Sequence, residues 1–270
     1  MGLRRRHVVL AAVAFATATN TPNQAVAVPS PEPPKQVEVV QISRIKTDDP
    51  VVFITIDDGF AQTSEAAKEI NDWGWPVTTF AIGRVLRTSS NYFMTLGPHP
   101  TFGNHTSTHA VLTHLDLEAQ RAEICGGAKA VEEYSGTPTK YFRPPTGASN
   151  ADTYIAAQSC GMRYLLLWRA TVNGTRIDTW GKSPLHKGDI ILLHYRPDLA
   201  ASLLAVKTQL DLLGLVPAPL DWYLPLVNHP PIVVPPPKTA QMPASGRFNA
   251  HRSCIGAKHR PYSRTQTCAW

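Results

Sequence analysis

The four cysteines include no Cys-x-x-Cys pair, which argues against a metal site built on those thiols. The chain has no internal repeat, so a solenoid or other repeat architecture is excluded. It also has no N-terminal apolar run long enough to span a bilayer stably, since the stretch from Val8 ends at Ala16. Acidic residues are missing altogether from Pro235 to Trp270. The last absence explains the charge. The formal net charge is +6, but Arg4, Arg5, Arg6 and the six basic residues of that tail account for more than all of it. The remainder holds 17 basic and 20 acidic residues, so the body is mildly acidic and does not read as a nucleic-acid binder.

The chain of 270 residues can bury a large core, and its 24 prolines gather towards the two ends. At the start, Arg4-Arg5-Arg6, the short apolar stretch and the small-x-small site Ala25-Val26-Ala27 form an export signal over residues 1–27. Residues 28–47, with Pro29, Pro31, Pro33 and Pro34, read as a spacer. Residues 48–227 form the catalytic body, and residues 228–270 a basic, Pro-rich tail. Four cysteines suit an exported, oxidised protein. Cys254 and Cys268 lie in the same tail, where a bridge would constrain the unfolded chain by roughly 3 kcal/mol. Cys125 and Cys160 are then left to pair across the body.

Within the body, strand-like and helix-like segments alternate. Val51–Ile56 is a continuous apolar run, and Ser64–Trp73 has helical spacing closed by Gly74. Val77–Ile82 is β-branched and aromatic. Asp116 caps a helix running to about Tyr134 before Gly136. Tyr141–Arg143 is a short strand stopped by two prolines, and Ala151–Ser159 is helical. Arg163–Trp168 and Ile190–Leu193 are apolar strands, and Leu199–Leu213 is an amphipathic helix ended by Gly214. This alternation predicts a parallel sheet with helices outside and a site at the carboxyl ends of the strands.

Those ends carry the chemistry. Asp57 and Asp58 close the first apolar run. Adjacent carboxylates can divide labour, one ligating a divalent metal and the other taking a proton from the water that the metal acidifies. His105 and His109 stand four apart, a spacing that on one helical turn lets both face a shared ion. Two histidines and one carboxylate with open positions suit a catalytic divalent site; zinc is the expected ion, with cobalt, manganese and nickel as alternatives. Arg143, fixed by Pro144 and Pro145, can hold a carboxylate bidentately. His194, after four apolar residues, is placed to protonate a departing amine. Trp180 offers a face for stacking a sugar.

Asp57-Asp58, His105 with His109, Arg143-Pro-Pro-x-Gly and Leu192-x-His194 occur in the order and spacing of the polysaccharide deacetylases, carbohydrate esterase family 4. The resemblance runs from about Val51 to Leu226. It implies an α/β fold, a distorted, partly closed (β/α) barrel. It also implies metal-dependent removal of acetyl groups, usually from N-acetylglucosamine polymers such as peptidoglycan or chitin oligomers. Asp57 is then the base, oriented by Arg143. Asp58, His105 and His109 are the metal ligands, and His194 is the acid. Pro145, Thr146, Gly147, Trp168 and Leu192 fall on the substrate side, with a backbone N–H of the Pro145-Thr146 loop at the oxyanion. An O-acetyl esterase of the xylan type needs the same groups but no strong acid. A carbohydrate-binding relative with weakened turnover is a further reading. Its support is Thr171, which stands where the family usually carries an aspartate that supports the catalytic histidine. The expectation is reduced activity or rescue by Asp178. Thr146 replaces a common aromatic, and Gly97-Pro98-His99-Pro100 is unlike the family's usual approach to the histidine motif. The protein is expected to be secreted or extracellular, with an N-acetylated polysaccharide as substrate and its basic tail against anionic cell-wall polymer.

Overall fold

The computed structural model describes residues 38–224 and residue 2. The export signal, the prolines of the spacer, the basic tail and the Cys254–Cys268 pair lie outside the described residues. In chain order the first elements are β1 (Val40–Ile42), β2 (Val51–Asp58), α1 (Ser64–Asp72), β3 (Val77–Ala81), α2 (Gly83–Leu86) and β4 (Thr101–Phe102). Then come α3 (Leu117–Ser135), β5 (Tyr141–Phe142), α4 (Ala151–Ser159), β6 (Tyr164–Leu166), β7 (Ala170–Asn173) and β8 (Arg176–Thr179). The last are β9 (Ile190–His194), α5 (Leu199–Leu213), β10 (Val216–Pro217) and α6 (Leu220–Tyr223).

β2 is the axis. Its residues Val51 to Asp57 are buried on both faces, as a central strand of a parallel sheet requires. One sheet runs β4-β3-β2-β9-β7-β8, and β10 pairs with the beginning of β2. All its pairings are parallel except the β7–β8 hairpin. A second sheet runs β1-β6-β5, also parallel. Single bridges link the two, Asn104 to Phe142 and Arg44 to Asp189. The result is a distorted barrel whose sheets do not close. Its core includes Phe53, Ile54 and Ile56 of β2 with Phe80, Phe93 and Tyr195. Each such burial contributes roughly 1.5–3 kcal/mol.

The helix boundaries follow from local chemistry. Thr63 caps α1 by accepting from the Ala66 N–H, and Asp116 caps α3 by accepting from the Ala119 N–H. Asn150 and Thr153 form a reciprocal capping box at the start of α4. α3 and α5 stop where Gly136 and Gly214 turn left-handed.

One boundary needs correction. The spacer expected over residues 28–47 overlaps the folded unit, because β1 pairs with β6 and both Val39 and Ile45 are buried. Apolar side chains at Val39, Ile42 and Ile45 outweigh the Pro-rich composition just before them. The Cys125–Cys160 pair is bridged, joining α3 to the end of α4 across 35 residues. A closed loop of that length predicts that Cys125→Ser with Cys160→Ser loses about 4 kcal/mol of stability in urea unfolding. A loss below about 1 kcal/mol would show that the bridge constrains little.

Candidate metal centre

Strand alternation alone would aim Asp57 and Asp58 at opposite faces. At Asp58 the backbone instead turns to φ 75°, where a non-glycine residue is strained. Both carboxylates consequently approach one imidazole. His105 Nε2 lies 3.7 Å from Asp57 Oδ2 and 3.6 Å from Asp58 Oδ1. His109 Nε2 lies 3.4 Å from the same Asp58 oxygen.

The histidines reach Asp58 by a route the sequence did not suggest. They sit in a loop, and no helical turn connects them: Thr106 and His109 have φ of 64° and 72°. Asn104 organises the loop by accepting from the Thr106 N–H and donating to the Ile124 carbonyl. Glu123 on α3 accepts from the N–H groups of Ser107 and Thr108 and from the Thr108 hydroxyl. Gly127 lets α3 lie against the loop, since a Cβ there would stand 2.2 Å from Asn104 Oδ1.

His105 is buried and donates from Nδ1 to the Arg143 carbonyl at 2.8 Å. That bond fixes the tautomer and leaves the Nε2 lone pair turned to Asp58. Burial pushes the His105 pKa down, against the raising influence of Asp57, so the ring stays neutral. Asp58 Oδ1 is itself buried and has no hydrogen-bond partner. Ligand atoms of Asp58, His105 and His109 all lie within 4.8 Å of one another. Two tetrahedral ligands at about 2.1 Å from an ion stand about 3.4 Å apart. An orphaned carboxylate oxygen, two imidazole nitrogens and that spacing fit a divalent cation.

Arg143 follows β5 and is fully buried. The bidentate grip expected of it is not what forms. Nη1 donates to Asp57 Oδ1 at 2.7 Å and to Thr55 Oγ1 at 2.9 Å. Nε donates to the Leu166 carbonyl, and Nη2 points to that of Leu167. The guanidinium also lies 4.3 Å from the Phe80 ring centroid and 5.6 Å from that of Trp168. Burial lowers its pKa while Asp57 raises it. Thr55 was missed by the sequence reading. It sits two residues before Asp57, on the same face of β2, and its hydroxyl donates to the Ile191 carbonyl. Arg143 therefore holds Asp57 with its side chain and His105 with its backbone.

His194 ends β9 in register with Asp57. Burial pushes its pKa down, Asp57 and Asp58 push it up, and Arg196 and Arg143 lower it again. Its Nδ1 is buried with no partner. Asp178 does not fill that role, for it is engaged by Arg176 on the exposed hairpin. Pro145, Thr146 and Gly147 form the turn after Arg143, with Thr146 at φ 63°. Gly147 lies under Trp168, where a Cβ would meet the ring at 3.0 Å. Leu192 is buried in register with Thr55. Trp180 follows β8. Its backbone N–H donates to the Arg169 carbonyl, and the Arg169 guanidinium lies 5.6 Å from its ring centroid.

A polysaccharide deacetylase family model matches residues 44–165. An uncharacterised protein of Streptomyces coelicolor is 36% identical over 167 residues, which is 61% of this chain and 67% of that protein. The peptidoglycan-N-acetylmuramic acid deacetylase PdaC of Bacillus subtilis is 29% identical over 119 residues, covering 42% of this chain and 26% of that one. Among solved structures, a family 4 carbohydrate esterase from Streptomyces lividans in complex with acetate superposes with a TM-score of 0.54 at 22% identity. That match covers 64% of this chain and 93% of the esterase, and it speaks to the fold.

Proposed function

This chain belongs to the polysaccharide deacetylase family, and we propose that it is an exported, metal-dependent hydrolase of the N-acetyl groups of N-acetylglucosamine-containing polymers, peptidoglycan or chitin oligomers, releasing acetate. The observation that carries the reading is Asp58 Oδ1, buried and unpartnered between the Nε2 atoms of His105 and His109. Those three residues would hold the ion, for which zinc suits the donor set. Such an ion would polarise the acetyl carbonyl and make a water acidic enough to react near neutral pH.

The chain's own residues do the rest. Asp57 Oδ1 is tied to Arg143, so Oδ2 is the oxygen left to take the proton of the attacking water. Arg143 fixes the direction of that carboxylate. The Thr146 N–H is the donor proposed for the oxyanion. His194, across from Asp57 on β9, gives its proton to the departing amine nitrogen. The Cys125–Cys160 bridge supports an oxidising compartment. The tail is proposed to rest on anionic cell-wall polymer.

The unpartnered Nδ1 of His194 leaves its imidazolium less stabilised than a carboxylate-supported one, so less of the protonated acid is present near neutral pH; that favours a second reading as an O-acetyl esterase, whose leaving group needs less help. Thr171 registers with Leu192, which places it diagonal to His194 on the same face, roughly 7 Å apart at Cβ. Thr171→Asp should therefore raise the His194 pKa. An acid is lost as pH rises through its pKa, so the alkaline limb of kcat should move up by about one pH unit, from below the ordinary value of about 6.5. An unmoved limb would show that His194 is not the proton donor. Acetate release from chitin oligomers and from acetylated xylan, with and without chelator, separates the two readings.

A further inference from the structure

The segment Gly97-Pro98-His99-Pro100, set apart in the sequence, builds one wall of a groove at the end of the barrel away from the metal centre. Gly97 turns left-handed there and donates its N–H to Asn71 Oδ1 at 2.7 Å. It lies so near Trp75 that a Cβ would stand 2.1 Å from that residue's carbonyl oxygen. The turn brings His99 to α6. His99 Nε2 lies 2.9 Å from Asp221 Oδ2, and its ring centroid 5.7 Å from that of Trp222. The groove has a volume of about 350 Å³, and its lining includes Pro76, Pro98, Pro217, Pro219, Trp222 and Tyr223. Val51 lines it too, seven residues before Asp58 and so about 23 Å away along β2.

Most polar side chains of the lining are engaged. His99 is paired with Asp221, and the Tyr223 hydroxyl donates to Asp49 Oδ2 at 2.7 Å. The Trp222 indole N–H meets no acceptor among the described residues, and the side chain is 46% exposed. An apolar groove with one free indole donor suits a proline-rich segment. The polyproline II backbone has no internal hydrogen bonds, so a carbonyl is available to the indole, and its rings pack on aromatic and proline faces. A sugar would find few side-chain partners here for its hydroxyls. This chain supplies a segment of the first kind. The described residues end at Leu224, beside Trp222 and Tyr223, and from Pro225 to Pro237 the sequence has no Asp, Glu, Lys or Arg. Five of its prolines stand in Pro230-Pro231 and Pro235-Pro236-Pro237. Pro230 is six residues past Leu224, a reach of roughly 20 Å, enough to turn back onto the groove. So short a tether gives a millimolar effective concentration, at which an intrinsic dissociation constant of about 0.1 mM suffices for about nine-tenths occupancy.

We propose that residues 230–237 of this chain occupy the groove formed by Pro98, Pro219, Trp222 and Tyr223, fastening the basic tail to the end of the barrel opposite the metal centre. Binding alone tests this, whatever the barrel hydrolyses. Full-length protein carrying ¹⁵N-tryptophan reports the Trp222 indole N–H by magnetic resonance, with Trp222→Phe assigning the signal. Pro235→Ser with Pro236→Ser and Pro237→Ser moves that signal and leaves those of Trp73, Trp75 and Trp168 in place. A synthetic peptide of residues 228–240, added to the triple variant, returns the signal towards its wild-type position with a dissociation constant of about 0.1 mM. The same peptide binds the wild-type chain about tenfold more weakly, because the groove is already filled. Adding Trp222→Ser to the triple variant abolishes peptide binding in calorimetry. An unmoved signal in the triple variant, or equal affinity of the peptide for the two chains, overturns the proposal. So does a signal that chitin oligomers move and the peptide does not, which would make the groove a glycan site. A signal that moves with protein concentration overturns it as well, in favour of an interface between two copies.

Discussion

Asp57→Asn lowers acetate release from an N-acetylated oligosaccharide by about 10²–10⁴-fold while the chain stays folded. The asymmetry of the site leads to that expectation. One oxygen of Asp57 accepts from Arg143, and the amide oxygen of asparagine can still accept there. What the amide cannot do is take a proton from water. Loss of turnover should therefore come with retained metal affinity and little change in KM, because Asp58, His105 and His109 are untouched. Acetate assayed under saturating metal, beside a thermal melt, checks both halves. Wild-type rates in the variant would remove Asp57 from the base role.

Arg143→Met costs about 3–5 kcal/mol of stability, because it leaves the Asp57 carboxylate buried and uncompensated. Thr55 Oγ1 and the Leu166 carbonyl lose their donor as well. Arg143→Lys is no rescue, since one ammonium cannot serve Asp57, Thr55 and Leu166 while lying flat on Phe80. Urea unfolding reads the difference. A loss near 1 kcal/mol would mean that Asp57 does not depend on Arg143 in the folded chain.

Much of this site was legible because the sequence put its polar groups at strand ends. Asp57, Asp58, Arg143 and His194 each follow an apolar run, and a parallel sheet brings such ends to one side. The long helices were equally plain, since Asp116, Gly136 and Gly214 mark their limits. Other features were set by tertiary contact and left little local trace. The i, i+4 spacing of His105 and His109 suggested a helical turn, yet the loop is shaped by Asn104, Glu123 and two left-handed residues. Glu123 and Gly127 lie inside α3, where they read as ordinary helix positions. Thr55 reads as a β-branched strand residue; only its place on the face of Asp57 hinted at more. Residues 39–47 looked like spacer because prolines precede them, although Val39 and Ile45 are core.

The arrangement of Asp58, His105 and His109 around one divalent cation is the claim on which the rest depends. Calorimetric titration of zinc into chelator-treated full-length protein measures it directly. One ion per chain should bind, and Asp58→Asn and His109→Ala should each weaken that binding by about 100-fold or more. Unchanged affinity in both variants, or no ion bound by the wild-type chain, would contradict the account.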